Sequence, residues 1–194
     1  MAQLSRGPIH DSLLELSRLA VQVADVQEAQ ISRAAQLVMG CLDTGNKVLV
    51  CGNGGSAADA QHFAAELVGK MARQRRALPA ISLAADSSVV TALANDYGYD
   101  NVFARQVEGL GKAGDVLAVI STSGHSANVL KALETAQKIG LRTIALVGEG
   151  GDPALDNCDV CIHVPSSNAQ RVQELHTAIL HAICDYIEAR IDLS

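Results

Sequence analysis

The chain has 194 residues, 48% of them apolar and 19% charged, with a formal net charge of −6. That length suits a single domain with a full core, and the composition excludes a disordered or collagen-like chain. The acidic balance argues against a dedicated nucleic-acid binder.

In chain order, the N-terminal MAQLSRGPIHDSLLE has no apolar core followed by a cleavage site, and no run approaches the about 18 uncharged apolar residues of a membrane span. A cytoplasmic protein without a membrane partner is expected. Two helical segments follow, about 11–25 and 27–42, with Gly45 as a stop signal. Leu13, Leu16, Leu19, Val23 and Val26 recur on one side of the first.

Five short apolar runs read as strands: 47–51 (KVLVC), 80–84 (AISLA), 115–120 (DVLAVI), 142–147 (RTIALV) and 160–164 (VCIHV). Helical stretches separate them, which is the pattern of βαβ units around a parallel sheet buried on both faces. The basic run at 73–76 (RQRR) reads as a solvated surface turn. Cys158 and Cys161 form a CxxC, but in an alternating run residues three apart face opposite sides, so the pair reads as core rather than as zinc or redox chemistry. Five cysteines, an odd number, fit reduced thiols better than a disulfide framework.

The last helix is expected over 168–191, with Val172, Leu175, Ile179, Ile183 and Tyr186 on one stripe. These terminal helices carry more apolar surface than five short strands easily cover, which points to packing between subunits, although the same stripes also suit closure of the chain's own core.

Two strand-to-helix junctions carry chemistry. After KVLVC, the residues Asn53, Gly54 and Gly55 allow positive φ and close backbone approach, and Ser56 reads as the N-cap of the next helix. Free N–H groups, a hydroxyl and a helix N-terminus make an anion cradle. It lacks a Walker lysine and the GxGxxG spacing, and a glycine turn alone fits a structural turn equally well. After DVLAVI, Ser121, Thr122, Ser123 and Ser126 supply hydroxyls at a second helix start. Both junctions fall on the sheet edge where open α/β proteins bind ligands, which favours a small phosphorylated molecule, a sugar phosphate above all. His62 and Glu66 share a helix face at i, i+4, a spacing suited to a metal chelate or an acid/base couple. Gln173, His176 and His181 lie on the last helix. His176 reads as part of a polar stripe at a subunit contact.

CGNGGSAADAQHFAAEL, Asn95–Asp96 within AND, STSGHSAN and RVQELHTAILH together resemble, in that order, the sugar isomerase (SIS) domain of the sedoheptulose 7-phosphate (phosphoheptose) isomerases, over nearly the whole chain. The resemblance implies one SIS domain over residues 1–194. It implies a three-layer α/β/α sandwich with a five-stranded parallel sheet, extra N-terminal helices over 1–45 used in oligomer packing, and a long C-terminal helix. It implies a homotetramer with active sites at subunit contacts, acting in heptose synthesis for lipopolysaccharide and other surface glycans. By position, Asn53, Gly54, Gly55, Ser56, Asn95, Asp96, Ser121, Thr122, Ser123 and Ser126 match substrate and phosphate-binding positions. His62, Glu66, Gln173 and His181 match zinc ligands, with Glu66 and His181 also the acid/base pair and Glu66 and Gln173 also facing substrate. The implied reaction is ketose–aldose isomerisation through an enediol, which needs neither NAD nor pyridoxal phosphate. Gln173 and His181 stand about 12 Å apart along one helix, so both reach one metal only if side chains converge, the helix is irregular or two subunits contribute.

The chain departs from the family pattern at His125, Ala77 and Gln170, the last of which bears on the polar surroundings of His181. Some relatives of the same fold are non-catalytic partners of the bacterial replication initiator. They depart at the catalytic glutamate and the last histidine, whereas Glu66 and His181 are both present here. A sugar-phosphate sensor of a transcription regulator would need a DNA-binding segment, and no helix-turn-helix is left unassigned.

Overall fold

The computed structural model describes residues 7–191; the start of the leader reading, residues 1–6, lies outside the described residues, as does 192–194. The elements are α1 (Pro8–Asp43), β1 (Val48–Gly52), α2 (Gly55–Val68), β2 (Ala80–Ser82), α3 (Ser87–Tyr97), α4 (Val102–Leu110), β3 (Val116–Ser121), α5 (Ala127–Lys138), β4 (Arg142–Val147), β5 (Val160–His163) and α6 (Ala169–Glu188). Short 3₁₀ turns lie at Tyr99–Asn101 and Pro153–Asn157.

The strands pair in the order β2-β1-β3-β4-β5, all parallel. Alternation along each strand divides its side chains between two cores. Val48, Val50, Ala118, Ile144 and Leu146 pack with α1, α2 and α6 on one face. Leu49, Cys51, Leu117, Val119 and Ala145 pack with α4 and α5 on the other. The result is the three-layer α/β/α sandwich with a long C-terminal helix. None of the five cysteines is in a disulfide.

The N-terminal region is one 36-residue helix, not two. Nothing between residues 25 and 27 breaks it: there is no glycine or proline, and the helix is braced against α6 beyond that point. The α6 stripe closes the chain's own core, with Val172, Leu175, Ile179 and Ile183 buried. The outer half of α1 differs: Leu13 is 62% exposed, Val21 60% and Val26 59%. That half is where apolar surface is left over.

Three local expectations are overturned. Arg75 of the RQRR run is not solvated: its side chain is 1% exposed and pairs with Glu188, 2% exposed, at 3.2 Å. It also donates to the carbonyls of Glu66, Leu67 and Gly69, satisfying the orphan acceptors at the C-terminus of α2. Cys158 and Cys161 do not face opposite sides, because Cys158 precedes β5 and both thiols rest against the second core. His176 is buried inside its own chain rather than at a surface contact.

The ring of His176 lies by the Val147 backbone without reaching hydrogen-bond geometry, and neither ring nitrogen has a partner. Burial, partly offset by that backbone, pulls its pKa from 6.5 down to about 4. Between those values the unfolded chain binds the proton and the folded one does not, so stability rises with pH across this window and is lost on acidification. Thermal melts of the parent from pH 7 to pH 4 should lose on the order of 3 kcal/mol to this one group. His176→Phe should flatten that slope, and an unchanged slope would remove His176 as its source.

Candidate active site

Strands β1 and β3 are neighbours, yet the chain leaves β1 toward β2 at one side of the sheet and β3 toward β4 and β5 at the other. Their carboxyl ends therefore open a crevice at the point where the winding reverses, the usual ligand position in such sheets. Gly52 ends β1 where a Cβ would sit 2.7 Å from the Ser56 carbonyl and 2.8 Å from that of Ile120, so only glycine admits this approach of β1, α2 and β3. Gly54 follows with φ 55° and serves as the N-cap of α2, displacing Ser56, which is the second residue of the helix and buried. Ser126 is the N-cap of α5, and its hydroxyl makes no capping bond.

The two loops face each other. The side-chain amides of Asn53 and Asn128 exchange hydrogen bonds at 2.8 and 2.9 Å across the crevice, and the Tyr99 hydroxyl donates to Asn53 at 3.0 Å. Ser121 lies 3.4 Å from Ser126, hydroxyl to hydroxyl, and accepts from the Gly124 N–H. Asn53, Ser56, Ser121, Thr122, Ser123 and Ser126 line a pocket of about 90 Å³, suited to a phosphoryl group rather than to a whole sugar. Asn95 and Asp96 stand exposed at the end of α3, where the Asn95 amide donates to Asp96. The hydrogen bond from that region to the glycine loop comes from Tyr99 instead.

Helices α2 and α6 lie side by side and run in the same direction, matched turn by turn. The Gln173 amide covers Gly55, where a Cβ would be 2.2 Å away. One turn on, the Thr177 hydroxyl donates to Asp59 at 2.7 Å. One turn further, His181 meets His62, Nε2 to Nε2, at 2.7 Å. Glu66 then approaches His62 at 3.6 Å. One ligand atom from each of His62, Glu66 and His181 falls within 4.8 Å of the others. The side chains are accessible, His62 43% exposed and Glu66 19%.

Two imidazole nitrogens and a carboxylate oxygen suit zinc by donor chemistry, the imidazoles parting from 2.7 Å to admit the ion. Alternatively, the imidazoles share a proton between them and the carboxylate stands ready to accept another. Gln173 rests at the start of α2, two turns before His62, so within one chain the four resemblance ligands are spread along the helix pair rather than gathered at a point.

Asp59, Thr177, Asn128 and Tyr99 were not singled out in the sequence. Asp59 is the most consequential. It is 6% exposed with Oδ2 unpartnered, and burial pushes its carboxyl up against the lowering influence of Thr177 and His62. Its signal was the ADAQH spacing, which sets it three residues before His62 and so on the same helix face.

The chain belongs to the SIS-domain family, whose model matches residues 13–148. It is 50% identical over 180 residues to a phosphoheptose isomerase of Nitratiruptor sp., covering 93% of this chain and 96% of that one. Among solved structures, a phosphoheptose isomerase from Francisella tularensis superposes with a TM-score of 0.90 at 38% identity, covering 94% of this chain and 97% of the other. One from Neisseria gonorrhoeae gives 0.87 at 42% identity, with 93% and 97% covered. Within the family the chain therefore stands with the phosphoheptose isomerases, as an enzyme of the aldose–ketose isomerase class acting on a sugar phosphate.

Proposed function

We propose that the chain interconverts sedoheptulose 7-phosphate and D-glycero-D-manno-heptose 7-phosphate through an enediol, the first step toward nucleotide-activated heptose for surface glycans. The observation that carries this reading is the joining of the hydroxyl-lined pocket to the His62–Glu66–His181 cluster by the shared register of α2 and α6.

The phosphate occupies the pocket of Ser121, Thr122, Ser123 and Ser126, facing Asn53, Ser56 and the backbone of Gly54 and Gly55. Asn95 and Asp96 bind hydroxyls of the extended sugar from the α3 side. Gln173, with its amide over Gly55, serves the substrate near the phosphate end. The Glu66 carboxylate removes a proton from C1 and returns it to C2, while His181 gives a proton to the C2 carbonyl oxygen and accepts the one leaving O1. Each proton taken is returned, so the reaction is neutral overall. The buried Asp59 carboxyl, held by Thr177 through Oδ1 and unpartnered at Oδ2, lies beside His62.

His62, Glu66 and His181 suit zinc; Gln173, two turns away, would join them from another copy of the chain, and a bound zinc would polarise substrate oxygens. The exposed outer half of α1 supports packing of residues 1–45 against other copies in a homotetramer. Among the described residues no helix is long and apolar enough to cross a membrane, and a cytoplasmic site of action fits a substrate of this polarity. The replication-initiator reading has no observation in its favour.

The test is turnover of sedoheptulose 7-phosphate in deuterated water, followed by NMR. An enediol path with proton exchange predicts deuterium at C2 of the aldose product. Isomerisation of other ketose phosphates but not of this one would overturn the substrate assignment. Binding without turnover of any of them would overturn the mechanism.

A further inference from the structure

A second group of metal-ligating side chains lies outside the site just described, on the far edge of the sheet. We propose that Asp156, Cys161 and His163 form a site for a zinc-class divalent cation. Positions 161 and 163 alternate on β5, so the thiol and the imidazole project from the same face. Cys161 Sγ stands 3.2 Å from His163 Nε2. The 3₁₀ turn before the strand brings Asp156 Oδ1 to 3.7 Å from the same nitrogen. One ligand atom from each falls within 4.8 Å of the others. Tetrahedral zinc, with sulfur at about 2.3 Å and nitrogen or oxygen at about 2.0–2.2 Å, sets neighbouring ligand atoms about 3.3–3.6 Å apart. Both observed separations are close to that span, so binding asks for side-chain adjustment and no backbone movement.

The donor set selects the ion. Thiolate, imidazole and carboxylate favour zinc and its neighbours over magnesium or calcium, which take oxygen. Water completes the tetrahedron, since Asp156 and His163 are 71% and 40% exposed. Cys158 is not counted as a ligand, because it is not among the side chains whose ligand atoms come together here. The Cys161 thiol, raised to about 11 by burial and then by the charge of Asp156, gives its proton to solvent as sulfur bonds the metal. No electron changes hands.

The position has a structural use independent of the isomerase reading. Asp156 belongs to the Pro153–Asn157 turn, and Leu155 of that turn packs under Gly124 of the serine loop, where a Cβ would meet Leu155 Cδ1 at 3.1 Å. The Asp152 N–H donates to the Gly124 carbonyl. A metal joining Asp156 to β5 therefore fastens the segment that backs the serine loop.

The test uses chelator-stripped full-length chain titrated with Co²⁺ and followed in the near ultraviolet, where only a thiolate ligand gives charge-transfer absorption. His62, Glu66 and His181 have no sulfur, so the two sites are distinguished by this band. The parent should show it, a His62→Ala/His181→Ala variant should keep it, and Cys161→Ser should lose it while retaining its circular dichroism. His163→Ala should weaken Co²⁺ binding by at least about tenfold, the lower range for losing even an outer-shell partner. Added Zn²⁺ should abolish the band, and it should raise the Tm of the His62→Ala/His181→Ala variant but not of that variant carrying Cys161→Ser as well. Absence of the band in the parent, or its persistence in Cys161→Ser, would overturn the proposal.

Discussion

Glu66→Gln should lower kcat for sedoheptulose 7-phosphate by about 10²–10⁴-fold, the range a single general acid or base contributes, with a much smaller change in KM. The amide keeps the size of the carboxylate and an oxygen to offer a metal, so the loss isolates proton acceptance at C1. His181→Ala should fall in the same range, because the imidazole that protonates the carbonyl oxygen is gone and His62 loses its 2.7 Å neighbour. The double variant should be little worse than either single one, since the two groups serve one proton-transfer event. His62→Ala separates the metal from the acid/base pair. Its activity should be restored in part by excess Zn²⁺ if its role is to hold the ion, whereas that of Glu66→Gln should not. Steady-state assays of the four variants decide the matter, and wild-type kcat in both Glu66→Gln and His181→Ala would sink the assignment.

The largest effect on stability is expected at Glu188. Its carboxylate accepts from the N–H groups of Met71, Ala72 and Arg73 at 2.8–2.9 Å and pairs with Arg75, the side chains of Glu188 and Arg75 having almost no solvent access. Glu188→Ala leaves a buried guanidinium and three backbone donors without their acceptor, which should cost about 3–5 kcal/mol. For a chain of this length that corresponds to a fall in Tm of about 6–20 °C, read by calorimetry. Replacing both partners with apolar residues should not restore the parent value, because Arg75 also caps the end of α2. Burial alone would raise the Glu188 carboxyl, but the three N–H bonds and the Arg75 charge together outweigh it and hold the group below its usual value. The sign follows: a carboxylate depressed in the folded state stabilises above its unfolded pKa, and that stability is lost as pH falls through the lowered folded value. The loss therefore lies in more acidic solution than the one due to His176.

What could be read from sequence depended on how far apart the interacting residues are. The five strands were legible because each is a short apolar run, with β1, β3 and β4 buried along nearly their whole length, and RTIALV matches β4 residue for residue. The glycine and serine loops were legible because their hydroxyls and their glycines are local. His62 and Glu66 were legible as a pair, being one turn apart on α2. Their meeting with His181 was legible only through the family resemblance, because 119 residues separate it from His62 and only the packing of α6 on α2 brings them together. Arg75 failed for the same reason: its partner Glu188 is 113 residues away, and a basic run with an unseen partner looks like a solvated one. His176 was misread because an apolar stripe with polar neighbours does not reveal which side of α6 faces the sheet. The single helix α1 was divided because its apolar periodicity fades near Val26, where the helix continues on backbone bonds with an exposed side chain.

The matched turns of α2 and α6 also limit how this protein can change length. A residue inserted between Gly55 and Glu66, or between Gln173 and His181, would rotate everything beyond it by about 100°, swinging one member of the triad off the shared face. A residue inserted in the loop before Ala169, or between Arg76 and Ala80, carries no such rotation into the crevice and leaves the Glu188 contacts of residues 71–75 in place. Natural length variation should therefore gather in those connections and leave both intervals intact, the spacing of the chemistry being written in helical pitch rather than in loop geometry.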